Sequence, residues 1–335
     1  MMNDRVLLAH GSGGKLSHDL VENIFVSALG NPILNMLEDS AVLELGGRLA
    51  FTTDSYVVSP IFFPGGDIGK LAVCGTVNDL SMSGATPLYL SLSLIIEEGL
   101  LIADLKKIIA SIQHTVAEAG VKIVTGDTKV VNKGSVDKLF INTSGVGVVP
   151  LGIDISAANA RPGDKIIVSG TLGDHGIAVL SQREGLEFNI PVPSDCAPLN
   201  QLVAEMLDVS TNIHCLRDPT RGGLATTLNE FARRSRVGIN LDEGSIPVNK
   251  AVASACELLG FDPLYIANEG KLVAVVPPQD ANKVLAKIGQ NRYGREAAII
   301  GEVVKEHPQR VVMKTRLGAS RIIDMLVDEL LPRIC

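Results

Sequence analysis

Carboxylates and glycines placed at turns are the first chemical signal in this sequence of 335 residues. Aspartate recurs among small or turn-forming neighbours in Glu38-Asp39-Ser40, Thr53-Asp54-Ser55, Asn78-Asp79-Leu80, Gly126-Asp127-Thr128 and Asp218-Pro219-Thr220-Arg221-Gly222-Gly223. At strand ends or loop tips such groups suit Mg²⁺, a hard cation that takes oxygen ligands from a few carboxylates plus substrate phosphates. Each aspartate alone also serves as a turn former or helix cap, so the set has to be judged together. In His10-Gly11-Ser12-Gly13-Gly14-Lys15, glycines would expose backbone N–H groups to an anion and Lys15 would add positive charge. The spacing is not that of a P-loop and no predicted strand precedes it, so a flexible N-terminal loop competes with that reading. His175, in Gly173-Asp174-His175-Gly176, reads as a loop histidine satisfied by backbone groups. Cys335, the last residue given, is by position an ordinary exposed thiol. At a pKa of about 8.5 only a small part of it ionises at neutral pH. Prenylation is excluded, because that motif places its cysteine three residues before the end.

The composition narrows the setting of this chemistry. A formal net charge of -7 argues against a nucleic-acid or anionic-membrane surface, which needs clustered Lys and Arg. The apolar run from Val6 to Ala9 is too short for the core of a signal peptide, and Glu97 and Glu98 interrupt the most apolar later stretch, so a cytoplasmic protein is expected. Five cysteines, at 74, 196, 215, 256 and 335, are odd in number and widely spaced with no C-x-x-C. Neither a disulfide framework nor a structural zinc site follows, and Cys74, Cys196, Cys215 and Cys256 read as small buried hydrophobes.

The elements that must position these groups alternate between strand and helix. Aromatics are only 4% and there is no Trp, so the cores are built from Val, Ile, Leu and Ala, the filling of helix-flanked sheets. Residues 49–58, 121–125 and 139–149 read as strands, and Leu105, Ile108, Ile109, Ile112 and Val116 fall at helical spacing before Gly120. After the turn Arg161-Pro162-Gly163-Asp164 come strands at 165–170, 272–276 and 298–304. Helices are expected at Leu199 to Leu207 and after Gly223. The fold class is α/β (α+β mixed) with two domains: a glycine-rich segment 1–36, an N-terminal domain 37–155, a C-terminal α/β domain 156–310 and a tail 311–335. In that tail 322–330 is open between strand and helix, and Pro332 leaves an extended end.

The order of segments LAHGSGGK, EDSAV, FTTDSYVV, FFPGGDIGKLAVCGTVNDLSMSGA, IVTGDTKVV, LFINTSGVG, VSGTLGDHG, DPTRGG, ANEGKL, IIGEVV and PRIC resembles the hydrogenase maturation factors of the HypE family over essentially the whole chain. These belong to the PurM-like superfamily of aminoimidazole ribonucleotide synthetase and selenophosphate synthetase, which use ATP through dispersed aspartates. The resemblance implies that a partner carbamoyltransferase, HypF, loads a carbamoyl group onto Cys335, and that ATP is then used to dehydrate it to a thiocyanate. The nitrile would pass to an iron-bearing HypC–HypD complex. It further implies Mg²⁺ and ATP at Asp39, Asp54, Asp79 and Asp218, with Asp127, Gly13, Gly14 and Lys15 nearby, and His10 in a segment that closes over ATP. Lys129 would stabilise negative charge and Glu269 would act as general base; apart from the resemblance either reads as a surface ion pair. A homodimer formed by the N-terminal sheets is implied too. Two alternatives stand beside this reading. One is a superfamily synthetase acting on a diffusible substrate, whose selenophosphate type carries an N-terminal cysteine lacking here before Cys74. The other is a metallochaperone built on Cys335, which lacks a second soft ligand.

Overall fold

The computed structural model describes residues 4–38, 40–186, 192–327 and 330–335. A first sheet of four strands comprises β1 (Arg48–Tyr56), β2 (Thr86–Glu97), β3 (Lys122–Val131) and β4 (Leu139–Val149), in the order β1-β4-β2-β3. β4 pairs antiparallel with both β1 and β2, and β2 pairs parallel with β3 across the helix that joins them. Two helices, α1 (Ile68–Met82) and α2 (Ile102–Ala119), pack against each other and share one hydrophobic cluster with the inward residues of the sheet. In α2 the periodic residues Leu105, Ile108, Ile109 and Ile112 are at most 1% exposed, each contributing about 1.5–3 kcal/mol by leaving water. Gly120 ends the helix in the left-handed conformation, φ 70°.

Helix α1 is buried on every side, since only Lys70 and Asp79 of its 15 residues keep substantial exposure. An all-round apolar helix has no 3.6-residue stripe, and the sequence reading accordingly found none. Its start is fixed by Asp67, whose carboxylate accepts from the N–H groups of Gly69 and Lys70 at 2.7 and 3.0 Å. Close approach sets its glycines. A Cβ at Gly75 would lie 2.2 Å from the Tyr56 hydroxyl, and one at Gly69 2.8 Å from the Ile108 carbonyl oxygen.

A second sheet of seven strands comprises β5 (Lys165–Val168), β6 (Cys215–Arg217), β7 (Gly238–Asp242), β8 (Val273–Val276), β9 (Ala298–Val304), β10 (Val311–Lys314) and β11 (Ser320–Ile323). Their order is β11-β10-β7-β9-β5-β8-β6, antiparallel except where β10 lies parallel to β7. Alternate residues serve opposite faces: Ile166, Val168, Val273 and Val275 join one core, whereas Ile167, Ala274 and Val276 join another. Helices covering both faces explain why KIIV and VAVV read as unbroken apolar runs. Residues 311–323, expected within the tail, are the last two strands of this sheet.

The halves are joined by side chains that grip main chain. Asn78 of α1, 1% exposed, donates from Nδ2 to the Ala197 carbonyl at 3.1 Å and accepts from the Leu199 N–H at 2.7 Å. Asn200 donates to the Ala119 carbonyl at 2.7 Å. No helix among the described residues is long and apolar enough to cross a membrane.

Candidate functional site

Where the halves meet, the charges of four acids from separate segments act on one another. Asp54 sits in β1 and accepts from the Ser55 N–H. Asp79 lies in the last turns of α1 and accepts from the Thr52 hydroxyl at 2.9 Å. Asp54 lies inside its strand, within the 49–58 strand read from sequence, whereas Asp79 and Asp127, expected at turns, lie in helix α1 and strand β3; α1 shows no periodicity that would mark it. Asp218 follows β6 and is half-buried. Burial pushes its carboxyl up to about 7, and the charges of Asp79 and Asp54 add to this while Arg217 opposes it. Glu269, 3% exposed, is held well above the carboxylate range, first by burial and then by Cys196, Asp218, Asp195 and Asp54. Its Oε1 has no hydrogen-bond partner among the described residues.

Glycine and asparagine hold these loops together. Asn268, wholly buried, accepts from the Gly173 N–H at 2.8 Å and donates to the Pro219 and Ile266 carbonyls, so one side chain ties the GDHG, DPTRGG and ANEGK segments. Gly223, at φ +57°, could carry no side chain, since a Cβ would stand 2.6 Å from the Leu264 carbonyl oxygen. The Glu269 N–H donates to Asp195 Oδ1 at 3.1 Å, and the partly buried Lys271 ammonium lies 3.3 Å from the other oxygen of Asp195. Asn268 lies inside the ANEGKL segment with no role read for it, and Asp195 carries no motif that singles it out by sequence.

The donor set has the chemistry Mg²⁺ asks for, hard carboxylate oxygens whose burial, with the charges of Asp79 and Asp54, lets Asp218 retain its proton to about neutral pH. Among the described residues no three acids, histidines or cysteines are gathered closely enough to hold a metal by themselves. Phosphate oxygens would have to complete such a site. Asp39, the fourth expected carboxylate, lies outside the described residues.

The other candidates form a separate group. Gly11, Gly13, Ser17, Asp127 and Lys129 line a cavity of about 380 Å³ between the N-terminal segment and strands β2 and β3. Lys129 pairs with Asp127 at 3.0 Å, both well exposed. Gly14 caps the short helix Lys15–Leu20, Lys15 is exposed at its first position, and His10 uses Nδ1 to accept from the Leu7 N–H. Lys129 lines the N-terminal cavity with Asp127 as its ion-pair partner, whereas Glu269 is buried and its N–H donates to Asp195.

The segment 331–335 reaches back to the first half. The Val57 N–H donates to the Cys335 main-chain oxygen and the Ser59 N–H to the Arg333 carbonyl, each at 3.2 Å, directly beyond the strand that carries Asp54. Ile334 is 4% exposed, and Cys335, half-buried, packs against the hydrophobic cluster that contains Cys196 and Ile177. Leu331 and Ile334 line a cavity of about 480 Å³ together with Arg221, Gly222 and Ala267 of the DPTRGG and ANEGK loops. Cys74, Cys196, Cys215 and Cys256 are buried, as their reading as hydrophobes expects.

A model of the AIR synthase related protein, N-terminal domain, matches residues 37–149, and one of its C-terminal domain matches residues 161–314. The carbamoyl dehydratase HypE of Cupriavidus necator is 54% identical over 333 residues, spanning 99% of this chain and 95% of its own. The chain belongs to the HypE carbamoyl dehydratase family. A HypE crystal structure in complex with ATP, 51% identical, superimposes with a TM-score of 0.96 over 98% of this chain and 99% of that one. The HypE of a HypE–HypF complex, 52% identical, superimposes at 0.82 over 92% and 99%. Membership in the HypE family sets aside the diffusible-substrate synthetase and the metallochaperone as readings of this fold.

Proposed function

We propose that this protein uses ATP to dehydrate a carbamoyl group carried on the sulfur of Cys335, and so supplies cyanide ligands for the iron of a [NiFe]-hydrogenase. The observation that carries the reading is the seating of Cys335 against the core beside the β1 strand of Asp54, at the meeting of the halves where Glu269 is buried. The thiocarbamate oxygen attacks the γ-phosphorus and ADP leaves. The C–O bond then breaks as phosphate departs, two N–H protons are lost, and C≡N forms on sulfur. Overall, R–S–C(O)NH₂ and ATP give R–S–CN, ADP, hydrogen phosphate, which keeps one of the two protons, and one free proton.

Asp54, Asp79 and Asp218, with Asp39, would hold Mg²⁺, which supplies charge neutralisation to the phosphates when bound. With those carboxylates paired, the pressure of Asp218 and Asp54 on Glu269 falls while burial, Cys196 and Asp195 still hold its proton affinity high, so that once ionised it would be a strong general base for the N–H protons. Its unpartnered Oε1 supports that role. Lys129, an exposed ammonium on the N-terminal cavity, is assigned to the developing negative charge, with Gly13, Gly14, Lys15 and Asp127 contributing to the nucleotide site. HypF, seen with a HypE relative, is the proposed carbamoyl donor and a HypC–HypD complex the acceptor. A homodimer through the first sheet is supported by its edge strand β1, where Phe51 is 74% and Leu49 48% exposed.

The test is mass spectrometry of the C-terminal peptide. Carbamoylated protein given Mg²⁺ and ATP is expected to lose one water from that peptide. An adduct that survives unchanged while ATP is bound refutes the dehydratase reading.

A further inference from the structure

Two side chains outside the acid cluster spend their hydrogen bonds on the main chain of segment 331–335. Arg183, at the end of helix α3 (Asp174–Glu184), donates to three carbonyls: Ser59 from Nε at 2.8 Å, Pro332 from Nη1 at 2.7 Å and Arg333 from Nη2 at 2.8 Å. His175, in the first turn of the same helix, is wholly buried, with Nε2 2.8 Å from the Ile334 carbonyl oxygen and Nδ1 2.8 Å from the Ser194 hydroxyl. A carbonyl can only accept, so Nε2 carries the proton. Nδ1 then accepts from Ser194, whose oxygen in turn accepts from the Cys196 N–H at 3.1 Å. Burial keeps the ring neutral, which this single tautomer requires.

The far end of this chain of bonds reaches Glu269. Ser194 is followed by Asp195, whose Oδ1 accepts from the Glu269 N–H, and the Ala197 N–H donates to the Glu269 carbonyl. The two loops touch so closely that a Cβ on Gly270 would stand 1.8 Å from the Asp195 carbonyl oxygen. One ring thus bonds to the residue before Cys335 on one side and to the loop beneath Glu269 on the other. The seat is further pinned by Arg333, which holds φ +53° while its guanidinium donates to the Val57 carbonyl and to Asp137.

We propose that Arg183 and the His175–Ser194 pair are positioning residues: they seat segment 331–335 by its carbonyls and register Cys335 against Glu269. The positioning role rests on the reading that Cys335 carries the reacting group; the seat itself does not.

The experiment has two readouts on the full-length protein. Alkylation by N-ethylmaleimide, followed at the C-terminal peptide, reports the seat without ATP or carbamoyl group, because Cys74, Cys196, Cys215 and Cys256 are buried. Arg183→Ala, His175→Phe and Ser194→Ala are each expected to raise the Cys335 alkylation rate at least about ten-fold, the equivalent of about 1.4 kcal/mol of lost seating. Arg183→Lys, which keeps the charge but not the three-carbonyl fork, should restore part of the protection. Ser194→Ala touches no atom of the segment, so alkylation at the wild-type rate in that variant removes the relay. Arg183 lies at a helix end, and its variant keeps the test open should His175→Phe fail to fold. The second readout is the rate of water loss from carbamoylated protein, expected to fall at least about ten-fold in Arg183→Ala at unchanged ATP affinity. Wild-type alkylation in Arg183→Ala overturns the seat, and faster alkylation with undiminished water loss overturns the positioning role. A wild-type protein that never loses water fails the dehydratase reading, while alkylation still decides the seat.

Discussion

Asp218→Asn should make the ligand-free protein more stable above neutral pH and leave it unchanged in acid. The Asp218 carboxyl titrates at about 7 in the fold against 3.8 ordinarily, so between those values the native protein keeps a proton that the unfolded chain has released. Stability therefore falls as pH rises through that window, from no penalty below about pH 4 to the full penalty above about pH 7. Three pKa units correspond to about 4 kcal/mol, and solvent reaching the half-buried side chain reduces the expected figure to about 2 kcal/mol. Urea unfolding followed by far-ultraviolet circular dichroism suits a chain with no Trp. The midpoints of wild type and variant should nearly coincide near pH 3.5 and separate by pH 8 with Asn higher. Saturating Mg²⁺ and ATP should reverse the order at pH 8, because ligand stabilises the protein whose carboxylate holds it. A gap of equal size at both pH values would falsify the electrostatic account, since a packing effect does not titrate.

Glu269→Gln should bind ATP with wild-type affinity yet lose no water from the carbamoylated C-terminal peptide; normal turnover removes Glu269 from the mechanism. Lys129→Ala should change thermal stability by less than about 1 kcal/mol, because its pair with Asp127 is exposed, while slowing water loss by about 100-fold or more. A drop in melting temperature accompanying the slowed water loss would instead mark a structural residue. Gly223→Ala forces a Cβ to 2.6 Å from a carbonyl oxygen at φ +57°, so calorimetry should show a loss of about 2 kcal/mol or more, with ATP affinity falling as the DPTRGG loop shifts. An unaltered melting temperature would mean that the loop relaxes without cost.

What was legible in the sequence follows from which elements face water. Strand β4 alternates between buried and half-exposed residues along its whole length, and its bounds were read without error. Helix α2 shows its stripe and its glycine stop. Helix α1 is enclosed on all sides and so erased its own period, although it carries Asp79 and Asn78. Among site residues, the acids stand out by type and neighbours, but only as a set. Their gathering depends on contacts such as that of Asn78 with Ala197, which no local pattern encodes. Arg183 left no trace at all, since a side chain that grips carbonyls can face any sequence.

Tyr56 and Gly75 constrain one another in a way that bears on how this chain can diverge. The Tyr56 hydroxyl fills the space that a Cβ on Gly75 would need, and it also meets the Thr76 hydroxyl. Alanine at 75 is barred while tyrosine stands at 56, and a smaller residue at 56 leaves a void until 75 grows. Neither position can drift alone. A lineage that changed one would be expected to carry a compensating change at the other.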